Sequence, residues 1–238
     1  MVVAGAAAAF WQCALFPSLE GLSGGADASS GGSDGAPVDA ARAPTFHGAS
    51  ANPGGTLTEL ELARPDGTAA GDLLVASVVY RGSMEIAAPA GWTILLDTPR
   101  DGGHLTSFVR TSVPEEPASH VFTVPVAFGL AGGVTDWGDA TAIEASARAT
   151  GDGETVMLPA VVGVGRTLLA VYAHVGAVTY LPPPGLTEHF DVRTPSGTYV
   201  ASVSQASARQ ADADAQGPLA ATASGRGGGW MAQTLLLR

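Results

Sequence analysis

Two stretches of this chain repeat each other in register, and that repetition constrains the fold more than any composition value does. Gly71 to Asp97 reads GDLLVASVVYRGSMEIAAPAGWTILLD, and Gly165 to Asp191 reads GRTLLAVYAHVGAVTYLPPPGLTEHFD, without a gap between the two registers. Identities fall at Gly71/Gly165, Leu74/Leu168, Ala76/Ala170, Gly82/Gly176, Pro89/Pro183, Gly91/Gly185, Thr93/Thr187 and Asp97/Asp191. Each copy reads as strand, turn, Pro-x-Gly, strand. Neither copy carries enough apolar surface to fold alone, so the two halves are expected to face each other across one core.

The remaining segments agree with an all-β reading. Leu73 to Tyr80 is nearly continuous apolar sequence between Gly71 and Gly82, the pattern of a strand buried on both faces. Leu105 to Val113 alternates as a half-exposed strand does. Val121 to Phe128 is a strand that Pro125 pushes to an edge or a bulge. Thr198 to Ser207 alternates again, and Trp230 to Arg238 closes the chain. Ala142 to Ala149 is the one segment expected as a short helix. With 32 Gly and 16 Pro the backbone turns too often for long helices. The expectation is one antiparallel two-sheet sandwich over residues 45–238, jelly-roll-like in order and built from two similar halves.

Charge narrows the partners. The eleven basic residues are all Arg, and the net charge of −11 opposes binding to a phosphate backbone, which is attracted mainly by Lys and Arg. Nucleic acid is therefore excluded as a partner. A single cysteine, Cys13, excludes an internal disulfide framework and a thiolate zinc cluster.

Residues 1–12 are uncharged and largely apolar, too short for a bilayer span of roughly 20 residues but of the length of a signal-peptide core. Residues 13–44 contain the run GGADASSGGSDGAPVDAARAP, which cannot bury apolar surface and reads as a disordered tether. Such a tether of about 30 residues reaches on the order of 30 Å. The run from Cys13 to Gly25, CALFPSLEGLSGG, resembles the segment that follows the acylated cysteine of certain bacterial lipoproteins. That resemblance implies lipidation at Cys13, export, and a cell-envelope location with membrane contact through the anchor only; a freely secreted protein is the alternative. GDLLVA, Pro89-Ala-Gly-Trp92, Pro184-Gly185-Leu-Thr-Glu188 and the closing Trp230-to-Arg238 strand resemble a widespread, largely uncharacterised domain of secreted bacterial and phage-associated proteins. The resemblance covers roughly Asn52 to Arg238. It implies a jelly-roll-like sandwich and brings no catalytic residues.

Local motifs add little chemistry. There is no G-x-S-x-G elbow and no H-E-x-x-H, and no cofactor fingerprint: Gly163-Val-Gly165 lacks the third glycine. Asp212-Ala-Asp214 opens like a calcium loop, but Ala223 stands where the bidentate Glu belongs. No catalytic residue, metal ligand or cofactor is assigned. His104 beside Asp101 and His189 beside Glu188 read as solvated loop polarity rather than as base and orienting acid. His174 reads as a satisfied core histidine, and Trp92 and Trp230 as core anchors. Trp137, flanked by Asp136 and Asp139, reads either as a loop indole tucked against the sandwich or as a stacking platform for a sugar face. Ligand binding is accordingly placed at Trp137, Asp136 and Asp139. The expected function is non-catalytic binding or adhesion at the cell surface, toward an extracellular saccharide or surface protein. An extracellular glycan hydrolase or lyase using Asp101, Asp136, Asp139 or Glu188, and a structural packing unit of a surface layer or tail-like assembly, are the alternatives.

Overall fold

The computed structural model describes residues 42–82, 84–163, 165–195, 199–210 and 219–238. Among them there is no helix. Thirteen strands follow in chain order: β1 (Thr45–Ala63), β2 (Leu73–Arg81), β3 (Thr93–Arg100), β4 (Gly103–Thr111), β5 (Ser119–Gly138), β6 (Ile143–Gly151), β7 (Thr155–Met157), β8 (Thr167–His174), β9 (Tyr180–Leu181), β10 (Thr187–Arg193), β11 (Ser202–Arg209), β12 (Ala220–Ala223) and β13 (Trp230–Leu237). Ala142 to Ala149, expected as a helix, is instead strand β6, whose side chains alternate between half-buried and exposed against β13. Its small-residue composition fits a helix, but pairing with a neighbour far along the chain outweighs local propensity. No helix of the described residues is long and apolar enough to cross a membrane.

The duplication read from the sequence is the architecture. One sheet has the order β1-β5-β2-β4-β3, and the other, read from its opposite edge, is β6-β13-β8-β11-β10. Every pairing in both is antiparallel. Thus β2 answers β8, β3 answers β10, β4 answers β11, and β5 answers β13. The turns repeat bond for bond. Gly71 N–H donates to Ser112 O (3.0 Å) and Ser112 N–H to Asp72 O (2.8 Å), while Gly165 N–H donates to Gln210 O (3.0 Å) and Gln210 N–H to Arg166 O (2.8 Å). The two Pro-x-Gly turns close alike, Trp92 N–H to Pro89 O and Leu186 N–H to Pro183 O, both at 3.1 Å. Gly91 and Gly185 hold φ of 83° and 86°, which a side chain would strain.

Alternation then decides the layers. Along β2 the side chains of Leu74, Ala76, Val78 and Tyr80 face outward, and those of Leu73, Val75, Ser77 and Val79 face the other sheet. Along β8, Leu168, Ala170 and Tyr172 face out, and Leu169, Val171 and Ala173 face in. Both strands are buried over their length, so both outer faces need cover. In the first half the far ends of β1 and β5 supply it, burying Leu60, Leu62, Phe122 and Val124 against β2, with Ala87 bridging Thr123. In the second half the chain breaks at 152–154 and 224–229, and the corresponding pieces form the small sheet β7-β12-β9, with Leu181 opposite Thr222. Pro125 sits where β5 jumps register, between Phe128 opposite Leu57 and Thr123 opposite Glu59, the bulge its missing N–H requires.

The centre between the sheets is polar. Ser107 Oγ donates to Gln233 Oε1 at 2.6 Å, Gln233 Nε2 donates to Thr98 Oγ1 at 2.9 Å and Leu105 O at 2.8 Å, and Gln205 Nε2 donates to Ser77 Oγ at 3.3 Å. Small residues on the first sheet leave room for two glutamines on the second. These bonds are directional, so they specify how the two sheets sit. Gln233→Leu keeps most of the volume and strands the groups it served. Urea unfolding is expected to show a loss of about 1–3 kcal/mol.

Candidate functional site

Trp137 ends β5 and points between the sheets, where Leu73, Val75, Leu169, Leu235 and Leu237 surround it. It is 1% exposed. Its Nε1–H donates to Thr135 Oγ1 (2.9 Å), and Phe46 and His189 meet the ring edge-on at 5.4 Å each. The indole therefore offers no face to a ligand, and the stacking-platform expectation is corrected. The reason is the strand period: what read as a loop is the last turn of pleat in β5, so Trp137 faces in while Asp136 faces out. Asp139, just past the strand with φ 60°, is half-exposed and ion-paired with Arg42 at 3.8 Å. The three residues do not form one site.

Asp136 is fully buried, and neither carboxylate oxygen accepts a well-formed hydrogen bond: the Thr68 hydroxyl beside it donates to Pro65 O at 2.9 Å. Residue pairing puts it beside Leu74 on one side and Gly48 on the other. β1 carries an extra residue here. Phe46 opposes Trp137 and Gly48 opposes Asp136, so His47 is the bulged residue between them, and a bulge re-aims its side chain. The His47 ring lies over Gly138, where a Cβ would come within 2.1 Å of it. Its Nδ1 reaches Asp72 Oδ2 at 3.0 Å and Asp136 Oδ2 at 4.0 Å. Asp72 Oδ2 also accepts Ala69 N–H at 2.8 Å, which shapes the loop before β2. One ligand atom from each of the three residues lies within 4.8 Å of the others. Burial raises the Asp136 carboxyl to about 6; Thr68 and His47 oppose the rise, and the Asp72 charge adds to it.

The second half contains the counterpart. Glu144 is the bulged residue of β6, between Ile143 opposite Leu237 and Ala145 opposite Leu236, and it is ion-paired with Arg166. Arg166 answers Asp72, so the same contact recurs with the acid moved from the turn to the bulge. Leu236 stands where the first half has Asp136, since Leu168 opposes Leu236 as Leu74 opposes Asp136. The third member of the cluster has no counterpart in the second half.

At the far end of β2 a shallow hollow of about 520 Å³ is lined by Asp101, Asp152, Gly153, Arg226 and Gly227 to Gly229. Arg100 braces both acids, Nε to Asp101 Oδ2 at 3.1 Å and Nη2 to Asp152 Oδ1 at 2.8 Å, and Gly229 N–H donates to Asp101 Oδ2 at 3.1 Å. A Cβ on Gly227 or Gly229 would strike His174 or the Arg100–Asp101 pair, so the floor is bare backbone.

The remaining candidates take other partners. His104 pairs with Asp97 at 3.0 Å rather than with Asp101, and it stacks on Tyr80. His189 Nε2 lies 2.8 Å from Ser207 Oγ, while Glu188 accepts from Ser204. Burial brings the His189 imidazole down to about 4, so it is neutral at pH 7. His174 is fully buried between Tyr180 Oη and Gly153 O, each at 3.1 Å. Trp92 and Trp230 are buried as anchors. Glu188, Asp101 and Asp136 stand apart from one another on different elements. Cys13, Asp212 and Asp214 lie outside the described residues. The chain matches no family model, no curated protein and no solved structure.

Sequence reading missed His47 and Asp72. The offset that aligns the repeats places Asp72 opposite Arg166, a usable signal, but the bulge that delivers His47 has no local signature. Trp137→Ala should lower stability by about 3–5 kcal/mol in denaturant unfolding, as loss of a packed indole does. Asp191, like Asp136, is raised to about 6 by burial. Its folded pKa exceeds its unfolded one, so its contribution is full below about pH 4 and is lost as pH rises through about 6. Asp191→Asn should leave the Tm unchanged at pH 4 and raise it at pH 7.5, read by thermal unfolding at both values.

Proposed function

We propose that this protein is a non-catalytic binding module of the cell exterior, held on a tether, that takes a hydroxyl-rich ligand such as a saccharide in the hollow at Asp101 and Asp152. The observation that carries the reading is the construction of that hollow. Two carboxylates braced by one guanidinium, an exposed Arg226 and a glycine floor present alternating acceptors and donors over an open concavity. Hydroxyl groups match such a lining, and bare backbone permits close approach. The hollow lies where the break in the second half's outer strands meets the β3–β4 turn of the first half, so it uses irregular segments on a rigid frame. Braced by Arg100, the two acids present carboxylate oxygens as hydrogen-bond acceptors toward the hollow. The tether and an acyl anchor at Cys13 complete the reading: a module displayed away from a membrane toward an extracellular saccharide or surface protein.

A glycan array probed with the full chain tests the ligand class, alongside an assay for released reducing ends. Binding to a subset of glycans with no release is expected. Asp152 is 76% exposed at its side chain, so Asp152→Ala should weaken binding at least about tenfold, the loss of a charged hydrogen bond, and leave the Tm unchanged. Release of reducing ends would favour the hydrolase reading instead. Metabolic palmitate labelling that is lost in Cys13→Ser is expected for the anchor.

A further inference from the structure

We propose that His47, Asp72 and Asp136 form a binding site for a divalent transition-metal cation of the Zn²⁺ kind. The first observation is the donor set. An imidazole nitrogen and two carboxylate oxygens converge within 4.8 Å of one another, the spacing that ligands on one side of a small cation adopt. The second observation is independent of that spacing. Asp136 is fully buried and neither of its oxygens accepts a well-formed hydrogen bond, the Thr68 hydroxyl beside it donating to Pro65 O and His47 Nδ1 standing 4.0 Å away, although a buried carboxylate so poorly met is strongly unfavourable. Its Oδ2 is aimed at the same space that His47 Nδ1 and Asp72 Oδ2 face.

The duplication supplies the control. In the second half the bulged Glu144 and the turn residue Arg166 form a plain ion pair beside Leu236. The fold thus needs a bridge between the bulge and the turn, and is content with an apolar residue at the third position. Placing an aspartate there, and exchanging the bridge to histidine and aspartate, gathers negative charge where the other copy has none to spare. A cation resolves that charge. The N,O,O set points to the ion class, because imidazole suits zinc and the later transition metals, whereas calcium and magnesium favour oxygen alone. His47 is one-third exposed at its side chain, which leaves a path for the ion and open positions for water. Bound there, the ion ties the start of β1, the loop before β2 and the end of β5 to one point.

The test uses the full chain, freed of metal by chelation and titrated at pH 7.5 with Zn²⁺ and with Ca²⁺ by calorimetry; Co²⁺ serves as an optical probe. One high-affinity Zn²⁺ per chain, a Tm that rises with Zn²⁺ concentration, and a visible Co²⁺ spectrum are expected. Asp136→Leu copies the residue that the second half accommodates, and His47→Ala changes an exposed side chain. Each should reduce Zn²⁺ affinity at least about tenfold and abolish the Co²⁺ spectrum. Should Asp136→Leu fail to fold, His47→Ala decides. Absence of saturable Zn²⁺ binding, or affinity unchanged in His47→Ala, would overturn the site. Ca²⁺ binding tighter than Zn²⁺ would overturn the assigned ion class. Glycan binding at the opposite end of β2 is read separately, so failure here leaves that reading intact.

Discussion

Two strands buried on both faces, β2 and β8, set the terms for everything around them. Each lies at the centre of a five-stranded sheet, and each presents apolar side chains to both sides. One side of each is satisfied by the other sheet. The other side must be covered by the chain's own remaining segments, because the hydrophobic effect scales with area removed from water regardless of direction. The first half meets this need with long strands that fold back over the sheet. The second half breaks the same strands and uses a separate three-stranded sheet. One requirement, met in two ways, accounts for the layers of the molecule.

The break has a consequence for chemistry. Continuous strands leave no room for a concavity, whereas the interruption at 152–154 and 224–229 opens the hollow beside Asp101. Glycines tolerate that interruption because their neighbours, His174, Val175 and the Arg100–Asp101 pair, press against the backbone itself. The hollow is thus a by-product of how the second outer core is closed.

Because the halves share topology, each serves as a reference for the other. Positions that agree report what the fold requires: the Gly71/Gly165 and Gly91/Gly185 turns, and the polar contact between a bulged residue and the residue after the turn glycine. Positions that differ report what the fold permits. Leu236 shows that the site of Asp136 accepts an apolar side chain, so the buried carboxylate is not there for packing. The same comparison marks Ser77, Ser107 and Gly133 as the small side of a central layer whose large side is Val171, Gln205 and Gln233, a division of volume that lets the sheets meet in one register.

The amino-acid sequence by itself marked the central strands, the repeated turns and the duplication, because alternation, left-handed glycines and an ungapped repeat are local properties of the chain. It also marked His174, Trp92 and Trp230 as interior, since His174 and Trp230 sit in apolar strand sequence and Trp92 follows the Pro-x-Gly turn. Only the tertiary structure decided the rest. Trp137 looked like a loop residue between acids, and became interior because β5 continues to Gly138 and pairs with β1 and β2 along that length. Ala142 to Ala149 became a strand because β13 was there to pair with it. His47, Asp72 and Asp136 come together across separations that no local pattern encodes, through a bulge that shifts one residue and a glycine that admits the ring. Non-local pairing selects which face each side chain takes, and a shift of a single residue reverses that choice. The sites were therefore written in the register of strands, and only the folded chain reveals it.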